Sequence, residues 1–452
     1  MEFLMLLFPP PVEIADGAGF EGTDLFNRKP FGESLARLVS NADDALVVGL
    51  EAPWGEGKTT FIKQWRGLLE SAEYGIDSIF FDAFANDYQG DPMAALTDEL
   101  YAFIDDKSEQ AEKDDYWVSQ KQGFKDAVGK LVAGGAKTVG KIFGAACGAA
   151  GAAAGGGPEV DAATAGGAAA GEAAGEAAEK YFRDRFERKA GREGFQDTLK
   201  EIGSGLKEAT GKPLVFIIDE LDRCRPDFAL DLLESVKHVF SVPGIVFVLV
   251  YNADQIQEHI KCRYGRDVRA DIYLNKFISV VAALPKSVNI RQPHNDDNCK
   301  YIQQITKAMG MEFNAVETLG QYARRKELSL REMEKVMTLI AVSKAAMPDA
   351  YSDWGDLHLG VCLCRLYNPS LFRKLNNREH CWAEFEKYFD FQNLSQEEQE
   401  SNQVRLFVNM WSAFLNPNPE GEALEMKEKW IRDNRPVHIC CRSLTTFYRP
   451  QG

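Results

Sequence analysis

The stretch Ala45–Phe61, ALVVGLEAPWGEGKTTF, constrains the chain more than any other. An apolar, β-branched run gives way within a few residues to two glycines, then to Lys58-Thr59-Thr60 and an apolar segment. A strand that turns on glycines straight into a helix makes the helix's first backbone amides converge, and these amides attract an anion. Residues Ala52-Pro53-Trp54-Gly55-Glu56-Gly57-Lys58-Thr59 meet the pattern G-x-x-x-x-G-K-[ST] except at its first position, where Ala stands for Gly. Ala is tolerated there if the position does not require a positive φ. The expected ligand is a phosphate chain bound along Ala52–Thr60. Gly55 and Gly57 would let the backbone approach it, Lys58 would reach its β- and γ-phosphates, and Thr59 would offer a hydroxyl to Mg²⁺. The competing reading is a structural strand-to-helix turn that happens to contain Gly-Lys-Thr.

A second motif supports the first. In LVFIIDELDRC, Leu214–Cys224, an apolar run delivers Asp219 to the carboxyl edge of a strand, where ligands of open α/β sheets bind and where a carboxylate can hold Mg²⁺ through its water shell. Glu220 is the candidate for polarising an attacking water, with Asp222 second; an acid after a strand also serves commonly as a helix N-cap. The runs ALVVGLE, SIFFDAF, KPLVFIIDELD and GIVFVLVYN are strand candidates, and PDFALDLLESVKHVF at 226–240 reads as a helix. Continuous rather than alternating apolar runs, as at 212–222 and 244–252, are expected of parallel strands covered on both faces.

Composition changes abruptly between the two motifs. Residues 101–130 are polar and charged, and 131–179 are dominated by Ala and Gly. Beyond them Phe195, Leu199, Ile202 and Leu206 recur at helical spacing and predict a helix with one buried face. The Ala/Gly stretch carries glycines four residues apart, Gly140-Gly144-Gly148 and Gly167-Gly171-Gly175, which on helices would make a smooth stripe and a hairpin turning near 155–161. Lys141, Glu172 and Glu176 interrupt it, and it holds few large apolar side chains, so a linker or hairpin in water is favoured over a membrane span. The expected organisation is therefore residues 1–100 and 211–285 as two parts of one α/β domain, 101–210 as a helical insertion, and 286–452 as a helical C-terminal domain.

The net charge of -16 over 452 residues opposes general binding to a nucleic-acid backbone. Nine cysteines, an odd number including the adjacent Cys440-Cys441, do not resemble a disulfide framework and point to a reducing, cytoplasmic location. Pairs such as Cys362-Cys364 and His380-Cys381 lack the usual spacing of zinc ligands. The N-terminal MEFLMLLFPPP lacks basic residues before its apolar run and is read as an arm packing on the domain.

PWGEGKTTF, DELDRCRP, YLNKFISVVAALP at Tyr273–Pro285 and the leading LFNRKPFGESLARLV together resemble the KAP family of P-loop NTPases over most of residues 20–345. The resemblance implies a three-layer α/β fold with a central, mainly parallel sheet, related to STAND and AAA-like ATPases. It also implies ATP with Mg²⁺ as the bound nucleotide, although GTP is left open because no base-reading motif is visible. Some bacterial members are linked with phage exclusion. Trp54 matches the family's form of the loop, which implies an aromatic wall beside the phosphates; on residue type alone, packing in a core is the equal alternative.

Asn252, after the strand at 244–251, is a candidate γ-phosphate sensor or a turn former. Ser329 and Glu332 form a capping box that opens a helix with Met333, Val336 and Ile340 on its buried face. The box puts Arg331 in the first turn, against the helix dipole, where either a phosphate or water would hold it. Arg223 is expected in an internal ion pair. The leading expectation is a Mg-ATP-hydrolysing switch acting on a protein partner or on its own assembly. The alternative is a nucleotide-bound signalling scaffold that hydrolyses little and docks on a membrane or partner through the Ala/Gly hairpin.

Overall fold

The protein is described as a computed structural model covering residues 5–15, 17–110, 115–133, 193–208, 210–286, 297–346, 355–377, 379 and 381–432. The Ala/Gly hairpin expected within 131–179 lies outside these residues, apart from 131–133 at the end of a helix, as do His380, His438, Cys440 and Cys441.

Five strands build one sheet: β1 (Leu46–Glu51), β2 (Ser78–Asp82), β3 (Leu214–Asp219), β4 (Ile245–Tyr251) and β5 (Val280–Ala283). Their order is β2-β3-β4-β1-β5, and every pairing is parallel. β3 and β4 are buried at every position, as their unbroken apolar runs require. β5 is the element that the sequence reading did not single out. It is four residues long with exposed Val280 and Val281, a signal too short and too two-sided to stand out.

Strand side chains alternate between the two faces and feed two cores. On one face Val48, Leu50, Val215, Ile217, Val246 and Val248 pack with α1 (Lys29–Ser40) and α2 (Lys58–Glu70). On the other, Val47, Phe81, Phe216, Ile218, Phe247 and Leu249 pack under α3 (Pro92–Gln110), α4 (Asp115–Ala133), α5 (193–208), α6 (Pro226–Ser235) and α7 (Ala253–Tyr264). The result is a three-layer α/β domain. Phe195, Leu199, Ile202 and Leu206 are buried on α5, as their spacing predicts, and they share a core with Phe216 and Phe247. At roughly 1.5–3 kcal/mol for each fully buried large apolar side chain, the helices flanking the Ala/Gly segment are part of the fold's stability. The helix expected at 226–240 is α-helical to Ser235 and continues as a wider π-turn over Val236–Phe240.

The C-terminal part is helical, beginning with α8 (Asp297–Ala308), α9 (Val316–Arg325) and α10 (Leu330–Ala345). The capping box at Ser329 forms, with Glu332 N–H donating to Ser329 Oγ at 3.3 Å and Ser329 N–H donating to the Glu332 carboxylate at 2.9 Å. α11 (Gly355–Tyr367) runs through the middle of this bundle, buried from Gly355 to Cys364, and Trp411 lies so close to Gly360 that a Cβ there would sit 2.4 Å from its ring. The N-terminal arm reaches the same bundle: Leu6 N–H donates to Met309 O at 2.9 Å, while Leu6, Leu7 and Phe8 stay exposed. Among the described residues no helix is long and apolar enough to cross a membrane.

Asp356, in the first turn of α11, is buried, and its Oδ1 has no hydrogen-bond partner among the described residues. Burial pushes its carboxyl up to about 7. The native chain therefore keeps a proton that the unfolded chain releases near pH 4. The protonated site is undisturbed below that pH, and stability is lost as pH rises through about 7. Asp356→Asn should flatten this fall, leaving wild type up to roughly 4 kcal/mol more pH-sensitive than the variant between pH 4 and 8 in urea titrations. Parallel pH profiles for the two proteins would refute the assignment.

Candidate functional site

The carboxyl ends of β1 and β3 face one cavity of about 230 Å³, with β4 between the two strands. β1 leads into the glycine turn, whose Ala52 N–H donates to Tyr251 O on β4 at 3.2 Å. Gly55 and Gly57 have φ of 81° and 75°, whereas Ala52 is not among the residues with positive φ. That is why alanine is accepted at the first position of the motif and glycine is needed at the later two. Gly57 caps α2, so the amides from Lys58 to Thr60 are those a helix leaves without internal partners.

Lys58 Nζ donates to Ala52 O at 2.8 Å and Pro53 O at 3.2 Å. Burial draws its ammonium below the ordinary lysine range, while Asp222, Asp219 and Glu220 oppose that shift. Asp219, at the tip of β3 and opposite Asp82 on β2, is buried. Its Oδ1 accepts the Glu220 amide at 2.8 Å, and its Oδ2 has no hydrogen-bond partner among the described residues. Burial raises the Asp219 carboxyl above the usual range, against the pull of the Thr59 hydroxyl, the Glu220 amide and Lys58.

Glu220 has φ of 60°, a left-handed backbone that a non-glycine residue adopts at a cost on the order of 1 kcal/mol. Its carboxylate pairs with Arg223, the internal ion pair expected of that arginine, and burial raises the Glu220 carboxyl. Asp222 is buried and accepts the indole N–H of Trp54. Trp54 lines the cavity with 44% of its surface exposed, so it is no part of an apolar core. Gly55, Gly57, Thr59, Thr60 and Arg331 also line the cavity. Ala52 and Glu56 are buried behind the loop, and Pro53 contributes the carbonyl that Lys58 meets. Asn252 lies outside the cavity lining; its side chain caps α7 by accepting the Asp254 amide at 3.0 Å.

Several lining residues were not singled out as site residues, although Phe26 and Arg28 lie in the LFNRKPF stretch that resembles the family. Arg28 is buried and donates to Glu56 O at 3.0 Å, Pro285 O at 2.9 Å and Lys286 O at 3.4 Å, fastening the glycine turn to the chain that leaves β5. Burial lowers its guanidinium to about 10, so it remains charged at neutral pH. Beside it, Phe26 meets Tyr301 with ring centroids 5.8 Å apart, and Tyr301 donates its hydroxyl to Glu334 at 2.6 Å. These side chains come from separate segments, and no local spacing announces them.

The C-terminal part closes the site directly onto the turn. Arg331 N–H reaches Gly55 O at 3.4 Å, and a Cβ on Gly55 would lie 2.8 Å from Arg331 Cβ and 3.0 Å from Ser329 Oγ.

A parallel sheet in which an inner strand runs through such a glycine turn into Lys-Thr, with an aspartate at the end of a nearby strand, defines a P-loop NTPase, a nucleotide-binding class. Residues 28–346 match the KAP family P-loop domain, and the chain belongs to that family. Among solved structures, the ORC2 protein of Aeropyrum pernix in its ADPNP–ADP complexes is 12% identical with a TM-score of 0.35, over 94% of this chain and 86% of that one. Its ADP form gives 12% and 0.34, over 94% and 96%. That likeness is too slight to bear on the site. Comparison with curated proteins gives no match.

The crowding at Gly55 sets an expectation for stability. Gly55→Ala meets both a left-handed φ and the first turn of α10, whereas at Gly57 the nearest atoms are 3.4 Å away. Gly55→Ala should lose roughly 2–4 kcal/mol and Gly57→Ala roughly 1–2 kcal/mol in urea denaturation. Equal losses would mean that α10 does not press on the turn.

Proposed function

We propose that the chain binds a nucleoside triphosphate, ATP by family likeness, together with Mg²⁺, and hydrolyses its terminal phosphoanhydride bond. One observation carries this reading: a single cavity joins the amides of the glycine turn, Lys58 and Thr59 to Asp219 and Glu220. The fit to Mg²⁺ rests on Asp219, whose buried Oδ2 lacks a hydrogen-bond partner among the described residues, and on the Thr59 hydroxyl beside it. Oxygen donors of this kind, few in number and completed by water and phosphate oxygens, suit that ion. When bound, it would neutralise charge on the β- and γ-phosphates.

In this reading the turn's amides and Lys58 hold the phosphate chain in line, and Glu220 orients and deprotonates the attacking water. The strained φ at Glu220 supports that assignment, because strain of this kind is found where surrounding structure fixes a side chain for function. Arg331, which lines the cavity from α10, is assigned to the γ-phosphate in preference to Asn252, which caps its own helix. Loss of that phosphate would then change the contact between α10 and the glycine turn. This supports a switch in which residues 286–452 respond to the nucleotide held by residues 1–100 and 211–285.

Phosphate release and nucleotide affinity, measured with ATP and GTP in Mg²⁺, test these roles. Lys58→Ala should weaken binding more than about tenfold. Glu220→Gln should bind normally and turn over roughly 10²–10⁴-fold more slowly. Asp219→Asn should raise the Mg²⁺ concentration needed for half-maximal rate. A wild-type chain that binds nucleotide without turnover would replace the enzyme reading with that of a nucleotide-bound scaffold.

A further inference from the structure

Asp222 is the point where the phosphate turn, the segment after β3 and α7 come together. The Trp54 indole N–H donates to its carboxylate. With Asp219 and Glu220 it opposes the loss of the Lys58 charge, and it favours the charged form of His259 on α7. Asp222 is buried, so water does little to screen its charge.

Trp54 is placed quite differently. Its ring is 44% exposed, so core packing does not fix it, and its defined polar contact is the single N–H. An indole can donate and cannot accept. The bond to Asp222 therefore has one polarity and one geometry, and it ties a loop residue to a carboxylate 168 positions along the chain.

We propose that Trp54 is a positioning residue: its indole N–H holds Asp222 in the wall of the cavity that Lys58 also lines, so that the phosphate turn and the acidic segment after β3 meet the triphosphate as one unit. This rests on the nucleotide reading above and adds to it a role for the tryptophan that an aromatic wall does not supply. A wall would contribute to affinity through its ring. A positioning bond contributes to the alignment of reacting groups, and misplacement of about 1 Å in such a site can cost on the order of 10²-fold in rate.

The test uses the full chain with ATP and Mg²⁺, comparing wild type, Trp54→Phe, Asp222→Ala and the double variant for kcat, nucleotide Kd and thermal midpoint. Trp54→Phe keeps the ring and removes the N–H. It should lower kcat about tenfold and change Kd less than about twofold. In the Asp222→Ala background it should have no further effect, since the partner is already gone. A nucleotide-free measurement accompanies this: Asp222→Ala should shift tryptophan emission in wild type and leave it unchanged when Trp54 is already Phe.

The proposal is overturned if Trp54→Phe turns over like wild type, if it loses affinity alone, if the two single losses multiply in the double variant, or if the emission shift persists without Trp54. A wild-type chain that binds no nucleotide would instead overturn the site reading, which the emission measurement does not depend on.

Discussion

The absence of a side chain at Gly55 is the constraint on which the rest of the molecule depends. The glycine turn has to do two things at one point: turn through a left-handed φ after β1, and lie against the first turn of α10. A Cβ would satisfy neither demand. Because it is missing, the helix opened by the Ser329 capping box reaches the turn with its Arg331 amide, and the α/β domain and the helical part share a wall of the cavity. The capping box therefore has a consequence beyond α10 itself, since it sets the height at which Arg331 meets the loop.

Arg28 complements this from the opposite side. A buried guanidinium is tolerated only when its donors are used. Here they bind three backbone carbonyls, one in the glycine turn and two in the chain leaving β5. The turn is thereby held between α10 on one flank and the end of the sheet on the other. A loop held in this way is pre-organised, and any binding energy spent on it goes to the ligand rather than to ordering the loop.

Much of the fold was legible because its signals are local. Apolar runs located β1 to β4 to within three residues, and the spacing of Phe195, Leu199, Ile202 and Leu206 gave α5 its buried face. β5 escaped because four residues, most of them exposed, make neither pattern. The same division runs through the site. Lys58, Thr59, Asp219 and Glu220 belong to contiguous motifs, whereas Arg28, Phe26, Tyr301 and Glu334 meet only after folding. Trp54 shows the limit most clearly. Its residue type left wall and core equally open, and what decides its surroundings is the position of Asp222, which the loop's own sequence cannot contain.

The charges around the cavity bear on the proposal that its ligand arrives with a cation. Asp82, Asp219, Glu220 and Asp222 gather at the carboxyl ends of β2 and β3 in a chain of net charge -16, a setting that repels a bare polyphosphate. All four have protein partners: Asp82 accepts the Ala85 amide, Asp219 accepts the Glu220 amide, Glu220 pairs with Arg223, and Asp222 takes the Trp54 N–H. Asp219 also keeps its Oδ2 buried without a hydrogen-bond partner among the described residues. A triphosphate alone would leave that oxygen facing another anion, whereas one carrying a divalent ion would satisfy it and cancel the repulsion in the same step. On that proposal the free Asp219 oxygen, more than the number of acids, would make the carboxyl edge of β3 receptive.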